Sequence, residues 1–224
     1  MVWERLKRWV RPREPALEAG HRENPERASL ESWDRHSHGL EEFSRSLAEG
    51  EGLRILDCGE VLQANVSFLT SYGHKLYSGA LLSVLDSVCG ATDANPTELT
   101  EDQIQRFLDA TLNFPDGHLG AALLWDTLTF LPGALAEPVV ERLAQVMRPG
   151  ACLLALFHAD LRKEPAPLYS YRIVAADTLH VTPKGWRKPA QVFNNRAIEK
   201  LFRRFHSVKF FLARDHLREV IVRR

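Results

Sequence analysis

The chain has 224 residues, 45% of them hydrophobic and 26% charged, with 29 basic and 29 acidic side chains. That balance excludes a general nucleic-acid coat protein, and no apolar run is long enough to predict a membrane-spanning helix. Cys58, Cys89 and Cys152 make neither a disulfide framework nor a zinc-ligand cluster, and with no secretory pattern at the N-terminus the expected setting is cytoplasmic.

Residues 1–30 read as a tail. Prolines and charges dominate positions 11–27, with too few large apolar side chains to order that stretch. Ahead of it, Trp3, Leu6, Trp9 and Val10 can share one helical face surrounded by Arg5, Lys7, Arg8 and Arg11. A short basic helix of this kind packs on its own domain, in a partner's groove or on a membrane surface. Helical spacing resumes with Ser29 as a candidate N-cap, followed by Trp33, Leu40, Phe43 and Leu47. On such a helix His36 and His38 point to different sides, so no metal site is expected there.

From residue 53 onward strand and helix alternate. Strands are expected at 53–57, 75–80, 121–125 and 152–157, each mostly apolar. Between them the spacing predicts a helix over 61–72 ending at Gly73, a helical turn over 81–88, and a helix over 100–108. That last helix opens on a Thr100–Gln103 capping box. A further helix is expected over 137–146, with Pro138 in its first turn. The chain closes with a helix over 195–205 and an antiparallel pair of strands at 208–213 and 219–222. Apolar strands alternating with helices predict a parallel sheet covered on both faces, here with a mixed edge.

The segment RILDCGEVLQANVSFLTSYGHKLYSGA resembles the first motif of class I S-adenosylmethionine-dependent methyltransferases. Asp57 stands at the family's acidic position and Gly59 at its first loop glycine. Phe68, Leu69, Gly73, His74 and Leu76 keep the family's register into the next strand. LDATLNFPDGHLGAALLWDTLTFLP and AQVMRPGACLLALFHA resemble later segments of the same family, in the right order. The resemblance implies an α/β, Rossmann-like methyltransferase fold over residues 31–224. Its mixed sheet of seven strands would end in an antiparallel strand and carry helices on both faces. It also implies a cofactor pocket bordered by Asp57, Gly59, Asp109, Trp125 and Asp126, with His158 near the substrate side. No catalytic residue is assigned.

The sequence departs from the family at four positions. Val61 and Gln63 replace loop glycines, Ala80 replaces the carboxylate that would hold the ribose, and Gly120 replaces another acidic residue. Each lost charge-assisted hydrogen bond weakens binding by about 1.5–3 kcal/mol. S-adenosylmethionine binding is therefore doubtful. Val61 or Gln63 is expected to project into a narrowed loop over 58–63. Three functions follow: a non-catalytic binding or scaffold subunit, an active class I methyltransferase of unknown substrate, or a Rossmann-like protein with another ligand. The first is the leading expectation.

Charge is uneven along the chain. Residues 83–126 hold eight acidic side chains against one basic, and residues 195–224 hold nine basic against three acidic. The two regions are either solvated faces that cancel, or a basic docking surface around Lys200, Arg203, Arg204, Lys209, Arg223 and Arg224. A protein partner is expected through the N-terminal helix or this basic unit, and peripheral membrane contact stays open. Between 163 and 188, Tyr169 and Tyr171 at period two fit one face of an extra strand. The same segment also holds Arg172, Trp186, Arg187 and Lys188, which fit a surface for an anionic partner.

Overall fold

A computed structural model of the chain describes residues 31–89, 99–159, 165–211 and 216–224. The tail expected over 1–30, and the Trp3 and Trp9 helix within it, lie outside these residues.

The central strands are apolar on both faces, and the sheet shows why. Strands β2 (Arg54–Asp57), β3 (Lys75–Ser78), β4 (Leu119–Trp125), β5 (Met147–His158), β8 (Ser207–Phe211) and β9 (Leu217–Arg223) form one six-stranded sheet. Its order is β3-β2-β4-β5-β9-β8. The first four strands run parallel, and β9 and β8 join antiparallel. Successive side chains point to opposite faces of a strand. Leu56, Ala122, Leu124 and Leu153 therefore enter one core, and Ile55, Ala121, Leu123 and Leu154 the other. The first core is closed by α3 (Leu81–Cys89), α4 (Glu101–Thr111), α5 (Thr127–Phe130), α6 (Gly133–Val146) and α7 (Asn195–Leu201). The second is closed by α1 (His38–Glu49) and α2 (Gln63–Ser71).

This is the Rossmann-like, mixed-sheet arrangement with helices on both faces, and residues 53–57 supply an interior strand of it. The strand count differs. Seven strands were expected in one sheet, and the described residues place six there. Three more, β1 (Trp33–His36), β6 (Ala166–Ala175) and β7 (Thr178–Arg187), form a separate antiparallel sheet of order β1-β7-β6. The period-two tyrosines do belong to an added strand, β6. Their hairpin adds Tyr171, Ile173, Leu179 and Val181 to the second core.

Two local expectations change. Residues 33–36 are a strand, because Trp33 to His36 pair with Val181 to Thr178 of β7. Pairing of a short edge with a hairpin 140 or more residues away overrides the local helical spacing. The helix starts only at His38, capped by Ser37, whose Oγ accepts the Leu40 N–H at 3.0 Å. Helix α6 begins at Gly133, four residues before the expected start, which leaves Pro138 inside it rather than in its first turn. The Thr100–Gln103 capping box is present as expected.

Candidate functional site

In an open α/β sheet ligands bind beyond the carboxyl ends of the strands, where the strand order reverses. Here that point lies between β2 and β4, since the chain leaves β2 for β3 on one side and returns to β4 on the other. A cavity of about 300 Å³ lies there. Cys58 to Val61 after β2, Ala80 after β3, and Trp125 to Thr127 at the end of β4 form its floor and walls. The fourth side is Leu168 to Tyr171 and Lys184 of the β6–β7 hairpin.

The hairpin is held over the site at three places. The buried Asn65 side chain donates to the Tyr171 carbonyl at 2.9 Å and accepts the Ile173 N–H at 2.8 Å. Glu60 faces Lys184 at 3.5 Å and accepts the Ser170 hydroxyl at 3.3 Å. The Arg187 guanidinium makes a two-pronged contact with Asp86 at 2.8 and 3.2 Å. None of these pairs is close in sequence.

Trp125 decides the shape of the floor. It is the non-glycine residue with positive φ (50°) among the described residues, and the β4–β5 pairing slips beside it. An irregularity at a strand end re-aims the side chain it carries. The indole lies parallel to Tyr171, with ring centres 5.2 Å apart and planes at 6°. Its Nε1–H donates to Asp57 Oδ1 at 2.7 Å, and the Gly59 N–H donates to the same oxygen at 3.0 Å. A Cβ on Gly59 would meet the indole Cδ1 at 2.6 Å, so glycine is required here by the close approach of the ring. Asp57 consequently sits behind the indole and not on the cavity wall.

Burial holds the Asp57 carboxyl above its ordinary value of 3.8, against the lowering effect of the Gly59 and Trp125 hydrogen bonds. A carboxyl raised on folding adds stability that is fully present below the unfolded value. That stability is lost as pH rises through the folded value. Asp57→Asn keeps an oxygen for both donors and removes the charge. At pH 7 the variant should be at least as stable as the parent, and its advantage should disappear below the ordinary value of 3.8. Urea unfolding at both pH values checks this. A clear loss at pH 7 would mean that the ionised hydrogen bonds outweigh desolvation.

Beside the indole, Asp126 faces inward. Its Oδ2 lies 3.0 Å from His158 Nε2, and both side chains are buried. The His158 ring is held between Tyr169, stacked at 5.7 Å, and Phe130, edge-on at 5.6 Å. Burial, with the Asp126 charge and a hydrogen bond to Asp126 adding to it, pushes the ionisation of the buried Tyr171 hydroxyl well above the usual range. Burial likewise pushes the Cys58 thiol well up, with the Asp57 charge adding, so Cys58 is a poor nucleophile.

The structure thus brings Asp57, Gly59, Trp125 and Asp126 together. Asp109 stands apart. It lies on the exposed side of α4, accepts from Gln105 Nε2 at 2.8 Å and borders a different hollow beside Arg142. The helix turns this residue away from the sheet while Phe107 faces the core. Gly120 is also remote, at the amino end of β4 against Leu53. Within the loop, Val61 borders the cavity but is 62% exposed, and Gln63 turns outward to Ser67. The space beside Asp57 is filled by Trp125 instead. His74 of the first motif is structural. Its Nδ1 accepts the Leu53 N–H at 3.2 Å, and its Nε2 donates to the Leu47 carbonyl at 3.0 Å. Glu60, Asn65 and Lys184 carried no sequence signal of their own, because their roles come from meeting the hairpin.

Solved structures similar to this chain include methyltransferases. One is the Burkholderia thailandensis 1,6-didemethyltoxoflavin-N1-methyltransferase with bound 1,6-didemethyltoxoflavin and S-adenosylhomocysteine. It is 13% identical, covers 84% of this chain and 79% of its own, and has a TM-score of 0.43. A SAM-dependent methyltransferase from Methanosarcina mazei is 16% identical over 78% of this chain and 93% of its own, with a TM-score of 0.42. An S-adenosylmethionine-dependent methyltransferase from Mesorhizobium loti is 12% identical over 81% and 95%, with a TM-score of 0.39. The chain matches no protein-family model and no curated protein. The fold described above rests on its own strand order.

Proposed function

We propose that this chain is a methyltransferase-like protein that transfers no methyl group and acts through binding. The observation that carries this reading is the Trp125 indole, hydrogen-bonded to Asp57 and lying over Gly59. In the family that the first motif resembles, this carboxylate and this glycine face the cofactor. Here both face the protein's own side chain. Ala80, on the cavity wall, offers no carboxylate to ribose hydroxyls. The residues present therefore do not fit S-adenosylmethionine in the family's manner, and no reaction step is routed through it.

Calorimetry tests the proposal. Titration of the full chain with S-adenosylmethionine and with S-adenosylhomocysteine should give no binding heat at millimolar ligand. Binding in the micromolar range, about −8 kcal/mol, would overturn the proposal. The second reading, an active methyltransferase, is favoured by the cavity itself. Its 300 Å³ is at the lower limit of small-molecule sites, and the Asp126–His158 pair stands beside it. That reading requires the indole to leave Asp57, and the same titration decides between the two.

A binding role calls for a partner. The basic C-terminal unit spends much of its charge internally. Arg203 and Arg204 face Glu137 and Glu141 of α6, and Lys209 and Arg223 face Glu42 of α1. These counter-charges lie outside residues 83–126, so that acidic region is not what cancels them, and their pairing argues against a free basic docking surface. The proposed contact with a protein partner therefore falls to the segment holding Trp3 and Trp9, outside the described residues. No helix among the described residues is long and apolar enough to cross a membrane.

A further inference from the structure

We infer that His36, His38 and Glu41 form a site for a divalent transition-metal cation of the zinc class. Sequence spacing placed the two histidines on different sides of one helix. The chain instead changes from strand to helix at Ser37, between them, and the two rings meet edge-to-face with centres 4.5 Å apart. His36 Nε2 and His38 Nδ1 are 3.3 Å apart, and His38 Nδ1 is 3.6 Å from Glu41 Oε2. All three ligand atoms lie within 4.8 Å of one another.

The 3.3 and 3.6 Å separations are close to the ones a metal needs. A four-coordinate zinc ion at about 2.0–2.1 Å from its ligands holds neighbouring ligand atoms about 3.3 Å apart. Protonation suits the site as well. Asp177 Oδ2 lies 3.6 Å from His36 Nδ1, on the far side of that ring. A carboxylate there favours the tautomer with hydrogen on Nδ1, which turns the Nε2 lone pair toward His38 and Glu41. Glu41 Oε1 faces Arg45 at 3.2 Å, which leaves Oε2 for a cation beside the two imidazole nitrogens.

The backbone around the site is fixed independently of any ion. His36 pairs with Thr178 in the small sheet, and the Ser37 N–H donates to the Asp177 carbonyl at 2.7 Å. Asp177 Oδ1 accepts the Thr178 hydroxyl at 2.8 Å, and the His38 ring stacks on Phe211 at 6.3 Å. Two imidazoles with one carboxylate suit zinc, cobalt, nickel or copper, whereas magnesium and calcium favour all-oxygen sets. The histidine rings are half exposed, which leaves water for the fourth position. Bound there, the cation joins β1 to the first turn of α1, with the β6–β7 turn behind it, and so fastens the sheet that roofs the cavity.

The test uses the full chain, free of any histidine tag. Titration with zinc chloride should show one site per chain with Kd below about 100 μM. Cobalt(II) should give the visible absorption of a four-coordinate ion. His38→Ala and Glu41→Gln should each weaken zinc binding at least about tenfold, and Asp177→Asn by about 10–100-fold. These side chains are exposed enough for the variants to fold, which a thermal melt verifies. His206→Asn, on the exposed surface elsewhere, should leave binding unchanged. A Kd above about 100 μM, a six-coordinate cobalt spectrum, or zinc binding indifferent to His38→Ala would each overturn the site.

Discussion

Glu219→Ala is expected to lower the unfolding free energy by about 3–5 kcal/mol. Glu219 lies on β9 with 1% of its surface exposed. Its Oε1 is 2.8 Å from Arg35 of β1, and its Oε2 accepts the Gly39 N–H at 2.6 Å, in the first turn of α1. One buried carboxylate thus fastens the edge strand of the small sheet and the start of a helix to the main sheet. Removing it takes from the buried Arg35 guanidinium the carboxylate 2.8 Å away and orphans the Gly39 N–H, each a costly outcome. The ion pair itself need not be a net stabiliser, because both charges gave up hydration to form it. The double variant Arg35→Met with Glu219→Leu should therefore recover much of the loss. Urea unfolding of the three proteins measures this. A single-variant loss under about 1 kcal/mol would mean that water reaches the pair.

Trp125→Ala should cost about 3–5 kcal/mol, the range for deleting a large buried aromatic side chain. The indole is 3% exposed, stacks on Tyr171 and covers Gly59, so its removal opens a void against the existing cavity. Asp57 simultaneously loses a hydrogen-bond donor in a buried setting. Trp125→Phe separates the two contributions. It keeps an aromatic ring for Tyr171 but no N–H for Asp57, and should cost about 1–3 kcal/mol. The left-handed backbone at this position is strained for either replacement, so strain largely cancels in the comparison. If both variants unfold at the same urea concentration as the parent, the indole does not organise the site.

Much of the main sheet was legible in the sequence because burial leaves a local trace. A strand covered on both faces is apolar at every position, as 121–125 is, and its neighbours in order follow from alternation with helices. Turn and cap residues act within four positions, so the Thr100–Gln103 box was also readable. The resemblance placed Asp57, Gly59, Trp125 and Asp126 near one pocket, since all four lie at or just beyond the carboxyl ends of β2 and β4. Asp109 shares no such constraint and turned outward with its helix.

Tertiary structure decided the rest, for one reason. Periodicity records which side of an element is buried but not what meets it there. The Trp125–Asp57 hydrogen bond spans 68 residues, and the Gly39–Glu219 bond spans 180. The strand at Trp33–His36 exists because β7 offers it an unpaired edge, and that pairing, not the spacing of histidines, brings His36 against His38. Side-chain partners so distant in the chain are chosen by how the layers pack, and no window of neighbouring residues contains that information.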